Sequence, residues 1–115
     1  VVRRDLKLRR GKEIGQGSHA AMAWLRDRYR RGLQDLISEE ERSFLFRLPI
    51  VIVFQIDSEE ALLALEAKAK EHKLTTYLIR DAGKTEVAPD TPTALGIGPN
   101  WSENLAKVTA DLKLY

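Results

Sequence analysis

Asp81, Ala82, Gly83, Lys84 and Thr85 are followed, eight positions after Thr85, by Thr93 and the run Ala94, Leu95, Gly96, Ile97, Gly98, Pro99. Together they set a carboxylate, an ammonium and two hydroxyls around one strand-to-strand connection. No buried strand needs that mixture, so a functional site is the first reading. A glycine-rich connection also lets backbone approach a ligand closely. The same residues read equally as an Asp-Gly turn whose carboxylate caps its own backbone. A second polar group stands near the start of the chain, where Lys12 ends a basic loop and Gln16 follows one helical turn later, so the two can share a surface. His19 adjoins Ser18, but neighbours on a helix point about 100° apart and do not form a ready nucleophile and base. His19 also reads as a helix residue with a satisfied ring nitrogen. Loops at the strand ends of an α/β sheet form the usual ligand crevice, so the two groups are expected to meet.

Other chemistries are poorly served. The chain has no cysteine, which removes disulfides, thiolate metal sites and a cysteine nucleophile. Gly11 and Lys12 are followed by Glu13, not by the Ser or Thr of a phosphate-binding loop. Gly96 and Gly98 open a G-x-G, but Trp101 takes the third glycine's place and Pro99 breaks the helix entry. His19 and His72 are the two histidines, too few for a structural zinc site without thiolates. Neither a metal nor a cofactor is expected.

The elements that must position these residues follow from periodicity. Val1 and Val2, with Leu6 and Leu8, read as a first strand leading into the basic loop. Ile14, Ala21, Leu25 and Tyr29 recur at helical spacing over Glu13 to Arg31, and Gly32 stops that helix. Ser38 and Glu41 form a capping box for a shorter helix, which also explains the triplet Glu39, Glu40, Glu41 without a metal. Ile50 to Ile56 is a continuous β-branched and aromatic run, expected to be a central strand covered on both faces. Asp57 or Ser58 caps a helix running to about His72, with Ala61, Leu62, Leu65 and Ala69 inward. Strands at Leu74 to Arg80 and Thr93 to Gly98 precede a last helix capped by Asn100, with Leu105 and Val108 inward. The expected order is βααβαββα, a single α/β domain over residues 1–115 with one mixed sheet between helices.

The chain has 115 residues with a net charge of +2, and its charge is unevenly spread. Residues 1–31 carry ten Arg or Lys against three acids, a net +7, and the remainder is −5. Such a basic segment attracts polyanions, phosphate backbones foremost. No apolar run approaches the roughly 20 residues that span a bilayer, so a membrane is not expected as partner and cytoplasm is the default location. The first residue is Val1 rather than Met, which leaves room for N-terminal sequence ahead of it.

The motifs Val1 to Leu6, Gly11–Lys12, Gln16 with Ser18, His19 and Ala20, Leu74 to Thr85, Thr93 to Pro99 and Leu112 to Tyr115 together resemble the archaeal and eukaryotic type of peptidyl-tRNA hydrolase across nearly the whole chain. Ile14, Gly15, Gly17, Asp90 and Ala94 depart from the family's usual residues. The resemblance implies a four-stranded mixed sheet in three α/β/α layers, a homodimer, and cleavage of the ester between peptide and tRNA. It implies catalytic roles for Lys12, Asp81, Thr85 and Thr93, with Gln16, His19 and Lys84 supporting them. Asp81 would aim or deprotonate the water, its charged form favoured by Arg80 and Lys84, and Lys12 would stabilise the oxyanion or hold the terminal phosphate. Arg3, Arg9, Arg10, Arg26 and Arg30 would hold acceptor-stem phosphates. A non-catalytic RNA-binding module, or an esterase for another acyl group, are the alternatives.

Overall fold

A computed structural model describes residues 1–83 and 87–115 of the chain. The elements run β1 (Val2–Arg3), α1 (Arg10–Arg30), α2 (Glu39–Phe46), β2 (Phe54–Ile56), α3 (Glu59–Glu71), β3 (Thr76–Arg80), β4 (Pro92–Ile97), α4 (Ser102–Thr109) and β5 (Lys113–Leu114). The sheet order is β3-β4-β1-β2-β5. The β1–β2 pair is parallel and the β1–β4, β3–β4 and β2–β5 pairs are antiparallel.

Alternation along β4 divides the core. Leu95 points into a cluster with Leu62, Leu65 and Ala69 of α3, Leu74, and Val108 of α4. Ala94 points the opposite way, against Val2 and Ala20 of α1. Helices therefore cover both faces, giving the three layers expected. Capping follows the sequence at two helices: Ser38 Oγ accepts from Glu41 N at 3.1 Å and Ser58 Oγ from Ala61 N at 3.0 Å. At α4 the cap position falls on Trp101, one residue later than expected, and Asn100 Oδ1 accepts from Trp101 N at 2.8 Å.

Among the described residues the sheet has five strands, not four. The added strand is the two-residue tail, with Phe54 opposite Leu114 and Gln55 opposite Lys113, braced by Gln55 Nε2 donating to Leu114 O at 2.8 Å. Two residues carry too short a pattern to read as a strand. Its pairing covers the outer edge of β2, which stands one strand from the sheet centre that β1 occupies. The expected strand over Ile50 to Ile56 shortens to Phe54–Ile56, because β1 presents two residues to pair with it, at Val2↔Gln55 and Arg3↔Ile56. Ile50, Val51 and Ile52 are exposed, at 62%, 57% and 60%, instead of covered on both faces.

Helix α1 differs from its expected limits and its expected phase. It begins at Arg10, with Glu13 N donating to Arg9 O at 3.0 Å, so Gly11 and Lys12 belong to its first turn and not to a loop. Ile14 and Tyr29 are each 63% exposed, whereas Glu13, Gln16, Ala20 and Trp24 are buried. Apolar spacing misjudged the inner face because that face carries the polar Glu13 and Gln16 and the small Ala20 ahead of Trp24. The helix comes very close to the sheet: a Cβ built on Gly96 would stand 2.4 Å from the carbonyl oxygen of Ala20. Short α2 lies against α1 through an edge-to-face Trp24–Phe44 contact, centroids 6.1 Å apart, and the Arg28–Glu41 ion pair at 3.0 Å.

Candidate active site

The first turn of α1 and the residue following β3 meet through an ion pair, Lys12 Nζ to Asp81 Oδ1 at 2.5 Å. Asp81 is 5% exposed, and its second oxygen accepts from Gly83 N at 2.8 Å. Its backbone is fixed as well, with Asp81 N donating to Thr91 O at 2.9 Å and Asp90 N donating to Asp81 O at 2.8 Å. Gly83 has φ +75, and a Cβ there would meet Pro89 N at 2.5 Å, so this tight turn requires glycine. Asp90, one of the departures, has φ +63, a conformation glycine adopts freely and Asp tolerates better than most residues. Asp81 therefore caps its own turn, as the Asp-Gly reading expects, and offers Oδ1 to Lys12.

The hydrogen bond from Lys12 is the main cause that holds the Asp81 carboxyl below its usual range. The Gly83 N–H and the Lys12 charge add to it, against partial desolvation. Among the described residues the cation that sets it is Lys12, not the flanking Arg80. Lys84 and Thr85 lie outside the described residues.

Gln16, one turn beyond Lys12, reaches Thr93 of β4, whose Oγ1 donates to Gln16 Oε1. Thr93 is 1% exposed and Gln16 6%. Thr93 is fully buried, and its hydroxyl fixes the side chain of Gln16. His19 is exposed one turn further along. Between α1 and β3 these side chains open onto a crevice of about 550 Å³, lined by Lys12, Gln16, His19, Ala23 and Arg26 from the helix and by Leu78 to Ala82 from the strand and its continuation. A larger cavity of about 820 Å³, lined largely by apolar residues including Ile14, Trp24, Ile50 to Phe54 and Trp101, contains none of Lys12, Gln16, Asp81 or Thr93.

The basic residues separate into two kinds. Arg3 is 7% exposed and bound by Asp5, Nη2 to Oδ2 at 2.6 Å and Nε to Oδ1 at 3.0 Å, with Nη1 donating to Pro92 O at 2.9 Å. It braces the start of β4 beside Thr93 and is not presented to an acceptor stem, contrary to expectation. Arg9, Arg10, Arg26 and Arg30 are exposed.

A sequence profile described as Peptidyl-tRNA hydrolase PTH2 matches residues 1–115. The chain belongs to that family. It is 45% identical to the human protein named peptidyl-tRNA hydrolase 2, mitochondrial, over all of this chain and 62% of that protein. It is 40% identical to the peptidyl-tRNA hydrolase of Methanopyrus kandleri over 99% of this chain and 93% of that one. A third relative, the peptidyl-tRNA hydrolase of Methanothermobacter thermautotrophicus, is 35% identical over 99% and 95%. The chain thus spans about three fifths of the mammalian relatives and nearly all of the archaeal ones.

Two site features escaped the sequence reading. Arg80, considered there for its charge alone, lines the crevice. Glu13, 4% exposed, accepts from the Tyr115 hydroxyl and pairs with Arg4 Nε at 3.2 Å. The guanidinium of Arg4 lies 4.6 Å over the Tyr115 ring. Tyr115, the residue after β5, therefore anchors the turn of α1 that carries Lys12. A lone Glu beside a Lys gives no hint of a partner 102 residues away.

Proposed function

We propose that this chain hydrolyses the ester joining a peptide to the terminal ribose of tRNA, releasing peptide and reusable tRNA. The observation that carries the reading is the Lys12–Asp81 pair opening onto a crevice shared with Gln16 and His19, in a chain of this family. Asp81, held ionised by Lys12 and the Gly83 N–H, is a weak base and a good hydrogen-bond acceptor, so it aims the attacking water, takes up its proton as the new C–O bond forms, and returns that proton to the ribose oxygen as the ester C–O bond breaks. Lys12 places positive charge where the carbonyl oxygen becomes an oxyanion. Gln16 has its Oε1 committed to Thr93, which leaves its amide N–H groups to orient the ester. His19 supports the crevice wall. Thr85 and Lys84 complete the set in this proposal, and the exposed Arg9, Arg10, Arg26 and Arg30 hold phosphates without reading sequence.

The proposal includes a homodimer, supported by the apolar surface at Phe46, Leu48 and Ile50 to Val53 that association would cover; sedimentation equilibrium tests it. The cytoplasm is proposed as its location, tested by imaging the tagged protein against a mitochondrial marker. Turnover is expected to survive exhaustive chelation. The deciding assay offers the protein peptidyl-tRNA, unacylated tRNA and a small acyl ester and follows cleavage and binding separately. Cleavage of peptidyl-tRNA alone supports the reading. Binding without cleavage makes the chain an RNA-binding module, and cleavage of the small ester without tRNA dependence makes it a general esterase.

A further inference from the structure

The crevice runs well beyond the reacting pair. Lys12, Gln16, His19, Ala23 and Arg26 line it, spaced by four, three, four and three residues, which keeps them on a single stripe of α1. At 1.5 Å per residue, Arg26 stands about 21 Å along the helix from Lys12. The opposite wall brings Arg80 in directly beside Asp81. Among the described lining residues the acid is Asp81, already paired with Lys12. Arg26 forms no ion pair among the described residues, and Arg80 donates to a neutral acceptor, Asp90 O, at 2.9 Å. Two guanidinium groups thus have no carboxylate partner among the described residues of one crevice. Guanidinium matches phosphate oxygens in shape and charge, and a long basic groove of this kind tracks a single strand.

We propose that the crevice is a track for the unpaired end of a polynucleotide, with Arg80 gripping the phosphate of the ester-bearing nucleotide and Arg26 a phosphate farther from the ester. This rests on the hydrolase reading above. It adds a direction: the acylated end lies at the N-terminal turn of α1, and the strand runs toward the C-terminal half of that helix. Arg80 and Arg26 are positioning residues, since neither touches the reacting atoms.

The test compares one N-acyl-aminoacyl group carried by adenosine, by adenosine 5′-monophosphate, by a short oligoribonucleotide and by tRNA. Arg80→Gln is expected to lower kcat/KM about tenfold for the three carriers that have phosphate and to leave the adenosine ester unchanged, the cost of one charge-assisted bond. Arg26→Gln is expected to act on the oligonucleotide and tRNA esters alone and to reduce the salt slope of tRNA binding by about one. Arg80→Lys should recover part of the loss, and both Gln variants should keep the parent melting temperature. A loss as large on the adenosine ester as on tRNA, or no loss on tRNA, overturns the track. If the unaltered chain cleaves none of the esters, the hydrolase reading itself falls and the track falls with it.

Discussion

Asp81 divides its two carboxylate oxygens between partners of different kinds, a side-chain ammonium and the N–H of Gly83 in its own turn. That division fixes both where the group points and which protonation state it keeps. Replacing it with Asn leaves a side chain of the same shape that cannot accept a proton. Asp81→Asn should therefore cost roughly 10² to 10⁴ in kcat with the circular dichroism spectrum unchanged, and near-parental turnover would remove Asp81 from the mechanism. The pH dependence follows from the direction of the shift. Folding depresses the carboxyl below its ordinary 3.8, so the stabilisation from its ionised form is fully present above that value and is lost as pH falls through the lower folded one. Lys12→Met should raise the titration midpoint of Asp81, read by NMR at its carboxyl carbon, and bring acid unfolding to higher pH. An unmoved midpoint would mean that Gly83, and not Lys12, governs the charge.

At the scale of elements, the site depends on how closely α1 lies on β4. Gln16 meets Thr93 because helix and strand touch near Ala20 and Gly96, where a Cβ would stand 2.4 Å from a carbonyl oxygen. Gly96→Ala should force them apart, lowering stability by about 1–3 kcal/mol as overpacking does, and reduce kcat through separation of Gln16 from Thr93. Gly17→Ala is the control, because its Cβ would meet Val2 Cγ2 at an ordinary 3.6 Å. That change should be neutral or stabilising by up to about 1 kcal/mol, since alanine is the better helix former. Thermal unfolding of the two variants separates close helix–strand approach from a general intolerance of side chains on α1.

For the whole molecule, the basic charge of residues 1–31 is distributed by structure between bracing and surface. Arg3, Arg28 and Arg31 are engaged with Asp5, Glu41 and Asp27, while Arg10 and Arg30 face solvent. Replacing Arg10 and Arg30 with Gln should weaken tRNA binding and reduce its salt slope by about one for each phosphate no longer neutralised, with folding intact. Arg3→Gln should do the reverse, lowering the melting temperature by loosening the start of β4 while leaving the salt slope alone. Filter binding over a salt series, alongside calorimetry, distinguishes the two outcomes.

How much of this was legible beforehand depends on how local the physics is. Caps at Ser38 and Ser58, the inward face of α3 and the mixed α/β layering are set by residues within a turn or two of one another, so the sequence contained them. Residue type and motif likewise singled out Lys12, Asp81 and Thr93 as candidate catalytic residues with Gln16 in support, residues that the fold brings together, and the family match of the whole chain agrees with the resemblance those motifs carry. Tertiary structure decided the rest. It buried polar Glu13 and Gln16 on the face of α1 that apolar spacing assigned to others, made a fifth strand of a two-residue tail by pairing it with β2, and left Ile50 to Val53 uncovered because β1 supplies too few partners. It also withdrew Arg3 from the surface and brought Arg80 and Arg26 to one crevice. Each of these depends on contacts between residues far apart in the chain, which no local pattern of side chains encodes.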